Sequence, residues 1–166
     1  MAQDEFRIDR TSVRGMSNED ICWAVVEPLW PTAEIVDELE HVALATEGQR
    51  AVYTTMLYAR EVDNGGIKQF LSNSSGMYSQ SVAEGLRLLD AVALHAAFET
   101  TMSYFPGGHA PTDREKRKLF LKSFSEAQWD AIRTHEKQIY KTGGFEATLV
   151  PYWIGYINEH PADFFL

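Results

Sequence analysis

Apolar residues return every three or four positions along most of this chain, and that spacing predicts helices. Ile35, Val36, Leu39, Val42 and Ala43 fall on one face of a helical wheel, while Glu34, Asp37, Glu38 and His41 cluster opposite. A second stripe, Val52, Tyr53, Met56, Leu57 and Ala59, belongs to a helix expected from Thr46 to about Asp63. A short helical segment through Ile67, Phe70 and Leu71 follows, then one from about Ser79 carrying Val82, Leu86 and Leu89, then a mostly apolar one from Ala91 to Phe105. Alternation with a period of two is scarce. The expected fold is therefore all-α, a single compact domain of seven or eight helices over residues 1–166, with residues 1–15 as a loosely ordered N-terminal extension.

Local start and stop signals set the expected boundaries. Ser17 with Asp20 three residues on opens a first helix that ends before Pro31, and Pro31 with Thr32 starts the second. Thr112 with Glu115, and Ser125 with Gln128, read as two capping boxes. Gly143 and Gly144 end the helix that the second box begins. Residues 145–160 form a final helix in which Pro151 should force a kink or a late start.

Charge then changes the picture. Twenty-four acids against fifteen Lys and Arg give a net charge of -9, which disfavours attraction to phosphate backbones and anionic lipid. The distribution is more informative than the total. No Lys or Arg occurs between Arg14 and Arg50, where Glu19, Asp20, Glu27, Glu34, Asp37, Glu38, Glu40 and Glu47 supply eight carboxylates. Neither a signal-peptide pattern nor an apolar run of membrane-spanning length is present, so the expected compartment is the cytoplasm. The one cysteine, Cys22, lies among Ile21, Trp23, Val25 and Val26 and reads as a small core residue.

The most unusual stretch is EVDNGGIKQFLSNSSG, residues 61–76. Asn64 and Gly65 suit a helix C-cap, and Gly66 can begin the next helix without a side-chain clash. Glu61, Asn64, Gln69 and Asn73 are expected to form a polar network holding two helices at a fixed angle, because buried amides need partners. The series Glu61-Val62-x-Asn64-Gly65-Gly66-x-x-Gln69-Phe70-x-x-Asn73-Ser74 resembles the signature of a bacterial family of uncharacterised domains that includes a DNA-mimic protein. The likeness runs from about Glu47 to the C-terminal YWIGYINEHPADFF. It implies an all-helical fold and, for the studied member, a homodimer whose carboxylates imitate DNA phosphates and occupy a transcription regulator. Here the basic run Arg114, Lys116, Arg117, Lys118 and Lys122 departs from a uniformly anionic surface.

Catalytic chemistry has no visible carrier. No Gly-rich phosphate loop, nucleophile elbow or HExxH occurs. Glu38-x-x-His41, with Glu34 one turn earlier, has the spacing of a di-iron half-site, but no second Glu-x-x-His accompanies it. His95 reads as a core or boundary histidine, and Trp23, Trp30, Trp129, Trp153, Tyr152 and Tyr156 lack the basic groove of single-strand binders. The leading expectation is a non-enzymatic acidic protein without cofactor or metal, presenting Glu19, Asp20, Glu27, Glu34, Asp37, Glu38 and Glu40 to a basic protein partner such as a DNA-binding regulator. The alternative is a small-molecule binder or enzyme using the polar junction of Glu61, Asn64, Gln69 and Asn73.

Overall fold

A break in the longest helix organises the molecule. The computed structural model describes residues 2–32, 37–140 and 143–166. Among them are eight α-helices: α1 Asn18–Ala24, α2 Glu38–Ala43, α3 Glu47–Ser72, α4 Ser79–Leu88, α5 Val92–Met102, α6 Arg114–Ser123, α7 Glu126–Tyr140 and α8 Phe145–Glu159. The expected all-α single domain is what forms. α3 is its spine, packed against α4, α6, α7 and α8.

α3 opens on a full capping box. Thr46 Oγ1 accepts from the Gln49 N–H, and Gln49 Oε1 accepts from the Thr46 N–H. The helix breaks at Gly65 (φ -161°, ψ 20°) and Gly66 (φ 79°, ψ 177°). Gly66 occupies a backbone region open essentially only to glycine. A Cβ there would also stand 2.7 Å from Glu136 Oε1, because that carboxylate reaches in from α7 to accept the Ile67 N–H. Tyr58 before the break and Phe70 after it meet edge to face at 5.0 Å, and Tyr58 also meets Phe98 and Phe145 at 5.1 Å. All four rings are buried, and such pairs each add about 0.5–1.5 kcal/mol beyond simple burial.

The second half of α3 ends on a buried cation. Arg117 of α6 is fully buried, so it does not belong to the surface on which the sequence set the basic run Arg114 to Lys122. Its Nε donates to Leu71 O at 2.6 Å and its Nη2 to Asn73 O at 2.6 Å. Its Nη1 donates to Pro111 O at 2.7 Å and Thr112 O at 3.0 Å. Every partner is a backbone carbonyl. Gly76 makes room, since a Cβ there would meet Arg117 Nε at 2.5 Å. Burial, reinforced by Arg114, draws the Arg117 pKa below its ordinary value.

Other boundaries differ from expectation in instructive ways. α1 is capped by Ser17, as expected, but stops at Ala24 and is followed by a 3-10 turn, Glu27–Leu29. α2 starts at Glu38 with Asp37 as its cap, not at Pro31; Glu34, Ile35 and Val36 lie outside the described residues. Leu39, expected on the inner face, is exposed. α6 is capped by Asp113, whose carboxylate accepts the Lys116 N–H, and not by Thr112. The Ser125–Gln128 box is present in both directions. α8 begins at Phe145 and carries Pro151 within it. Pro151 and Ala147 are both exposed, so solvent can serve the carbonyl that the ring leaves unbonded.

Within residues 1–15, expected as a loosely ordered extension, lie two 3-10 turns, Ala2–Phe6 and Arg10–Val13, with Phe6 buried. Between them Ile8 pairs with the C-terminus, donating to Phe164 O and accepting from the Leu166 N–H, each at 3.0 Å.

Gly66→Ala should test the break. It combines a disallowed backbone with the contact to Glu136, so unfolding stability measured by denaturant titration should fall by about 2 kcal/mol or more.

Candidate functional site

The acidic stretch supplies helix starts. Glu19 and Asp20 sit in the first turn of α1, and Asp37, Glu38 and Glu40 cap or open α2, with Asp37 Oδ1 accepting the Glu40 N–H at 3.0 Å. Carboxylates are favoured there by the helix dipole. Glu19, Asp20, Glu27, Asp37, Glu38, Glu40 and Glu47 are all exposed. Among the described residues, none of the seven forms an ion pair with a Lys or Arg.

A chain of aromatic contacts runs from Trp23 of α1 to Tyr78, whose hydroxyl donates to Glu38 O at 3.4 Å. Trp23 and Trp30 stack with centroids 5.9 Å apart and planes 13° from parallel. The Arg60 guanidinium, from α3, lies 4.9 Å from the Trp23 ring and 5.7 Å from the Trp30 ring. Trp30 meets Tyr53 edge to face at 5.4 Å, and Tyr53 meets Tyr78 at 6.1 Å. Burial and the nearby Glu38 push the Tyr53 hydroxyl up to about 12, and burial with Tyr53, Glu38 and Asp37 raises that of Tyr78. A cleft of about 480 Å³ opens beside the indoles, lined by Met16, Asp20, Trp23, Ala24, Glu27 and Trp30.

α1, which carries Trp23, packs along α8, and the Trp23 side chain lies near the Glu146 carboxylate. Glu146 is half-buried. Burial first, then the charge of Glu19, hold its carboxyl above the ordinary 4.5; Arg60 opposes them and Asp63 adds to them.

The 61–76 stretch builds a second arrangement. Glu61 is the acceptor at its centre: Gln69 Nε2 donates to it at 2.7 Å, Asn73 Nδ2 at 2.9 and 3.2 Å, and Ser75 Oγ at 2.8 Å. Asn64 stands apart and exposed at the mouth of a neighbouring opening. That opening, about 550 Å³, is lined by Trp30, Leu57, Arg60, Glu61, Asn64, Gln69 and Asn73. Gln69 and Asn73 thus join Glu61 as the expected polar network has it, and Asn64 does not. Sequence reasoning missed Ser75 and Arg60, and only the Ser74-Ser75 pair beside the amides hinted at the former.

The remaining candidates carry no comparable geometry. Cys22 is buried, which pushes its thiol up to about 12. His95 is half-buried, 3.9 Å from Glu99. Among the described residues no three His, Cys, Asp or Glu side chains converge as metal ligands would, and no helix is long and apolar enough to cross a membrane.

The family model described as DMP19-like protein matches residues 43–160, well over half of the chain. The match takes in α3 to α8, with Glu61, Gly65, Gly66, Gln69, Asn73 and Arg117, and leaves Glu19 to Glu40 outside it. No curated protein and no solved structure matches.

Glu146→Gln should expose the electrostatic cost near Trp23. A carboxyl whose pKa is raised by folding destabilises the native state once it ionises, so stability falls as pH rises through that range. The variant keeps the shape of the side chain without its charge and should melt higher than the parent at neutral pH. The difference should fade below about pH 4, where the carboxyl is protonated in both states, as thermal unfolding across pH will read.

Proposed function

The chain belongs to the DMP19-like protein family, and from that premise we propose that it is a non-enzymatic interaction protein. Its exposed carboxylates stand in for DNA phosphates on the basic surface of a nucleic-acid-binding protein. The observation that carries this reading is the exposure of every described acid between Arg14 and Arg50, with no described Lys or Arg of the chain neutralising any of them. Glu34 belongs to the proposed face by sequence.

Physical chemistry gives that face its properties. Carboxylates free of internal counter-ions create a field that extends about 8–10 Å at moderate salt. They speed and orient encounters with a cationic patch more than they add affinity. A net charge of -9 repels DNA itself, so the same field that draws a DNA-binding protein keeps the nucleic acid away. The proposed acids lie N-terminal to the residues matched by the family model, so exposure and charge, rather than the match, support their assignment.

A second reading rests on the opening beside Glu61. Its polar lining and its size suit a small polar ligand. Such a ligand would raise the melting temperature as its concentration rises, and a metabolite panel that leaves melting unchanged rejects it.

Replacing Glu19, Glu27, Glu38 and Glu40 together by Lys avoids the capping aspartates and reverses the face. Bound partners recovered from native extract at low salt should include a DNA-binding protein that duplex DNA displaces. Recovery should drop at least tenfold in the reversed protein and in high salt. Equal recovery by both forms would overturn this surface.

A further inference from the structure

The cleft between α1 and the Glu27–Leu29 turn has a chemistry that a plain acidic surface lacks. Asp20 and Glu27 place two exposed carboxylates on it, and no described cation of the chain pairs with either. Its wall is the stacked pair of Trp23 and Trp30. Indole faces are the best aromatic acceptors of a cation. This pair already holds one: the Arg60 guanidinium, 4.9 and 5.7 Å from the two centroids. Arg60 lines the neighbouring opening and not this cleft, with Trp30 common to both.

We propose that this cleft is a socket for a single arginine side chain of the basic partner. Its guanidinium would stack on the indoles while Asp20 and Glu27 accept its N–H groups, and Met16 and Ala24 would cover its aliphatic stem. The proposal rests on the reading of the acidic face and names the residue that the face would grip.

One feature favours arginine over other cations, and two more favour binding of a long side chain here. The site is flat and aromatic on one side and carboxylate-lined on another, which matches a planar, weakly hydrated donor fork better than the compact ammonium of lysine. Both rings are held before binding, Trp23 stacked on Trp30 and Trp30 edge to face with Tyr53, so little side-chain freedom remains to be lost. The volume of about 480 Å³ holds one long side chain. Trp and Arg are also the residues in which interface energy concentrates.

The test uses the whole chain and N-acetyl-arginine amide as the probe, followed through the indole N–H resonances of the tryptophans. Saturable shifts are expected with a dissociation constant on the order of millimolar. The uncharged citrulline analogue should produce none, and the lysine analogue should bind several-fold more weakly. Asp20→Asn with Glu27→Gln keeps the shapes and should weaken the probe by about fivefold or more. Equal shifts from citrulline, or undiminished binding by the double variant, would overturn the socket. Two results separate this proposal from the broader reading. A double variant that still captures a DNA-displaceable partner as well as the parent sinks the socket alone. Arginine binding in a chain that captures no such partner sustains the socket and sinks the mimicry.

Discussion

The structure depends on holding a short helical segment beyond a glycine break. Residues 67–72 make under two turns, a length that has no stability of its own in water. Both ends are therefore held by other helices. At the start, the Glu136 carboxylate of α7 accepts the Ile67 N–H, and at the end Arg117 of α6 donates to the Leu71 and Asn73 carbonyls while Arg114 donates to Ser72 O at 2.8 Å. An anion at the amino end and cations at the carboxyl end also match the dipole of the segment. Glu61 closes the set by binding Gln69, Asn73 and Ser75 from the far side of the break.

This arrangement divides the acids into two populations. Glu61, Asp63 and Glu136 surround the break and accept hydrogen bonds from identifiable donors; they are parts of the scaffold. The described acids from Glu19 to Glu47 are exposed, and their few hydrogen bonds are local to helix starts. Residues 43–160, matched by the family model, contain the first population. Of the second they include only Glu47, so the scaffold and the proposed face can vary independently along the chain.

What the sequence made legible was whatever depends on neighbours in the chain. The start of α3 at Thr46, the double-glycine break and the Ser125 box are all signalled within four residues, and the fold uses all three. Thr112 with Glu115 has the spacing of a capping box, yet the neighbouring Asp113 caps α6. Arg117 was illegible for a different reason. It sits in a run of surface-like charges, and its decisive partners, Leu71 and Asn73, lie 46 and 44 residues away. Asn64 erred the other way: its place in the motif suggested a network member, yet Ser75, fourteen residues from Glu61, supplies the third donor.

The break also bears on the acids it does not contain. Asp63, two residues before Gly65, accepts the Phe145 N–H at 2.8 Å and the Glu146 N–H at 3.0 Å, fixing the first turn of α8. Glu146 in that turn lies near Trp23 of α1, which packs along α8. A path of packed elements thus runs from the glycine corner through Asp63 and the first turn of α8 to the helix that carries Glu19 and Asp20. Charges displayed on a frame of this kind are already ordered, so less entropy would be lost in the binding proposed above. The cost is local. Glu146 is kept half-buried beside Glu19 and Asp63, a crowding of like charge that Arg60 relieves only in part, and that is the concession the scaffold makes to keep α1 in place.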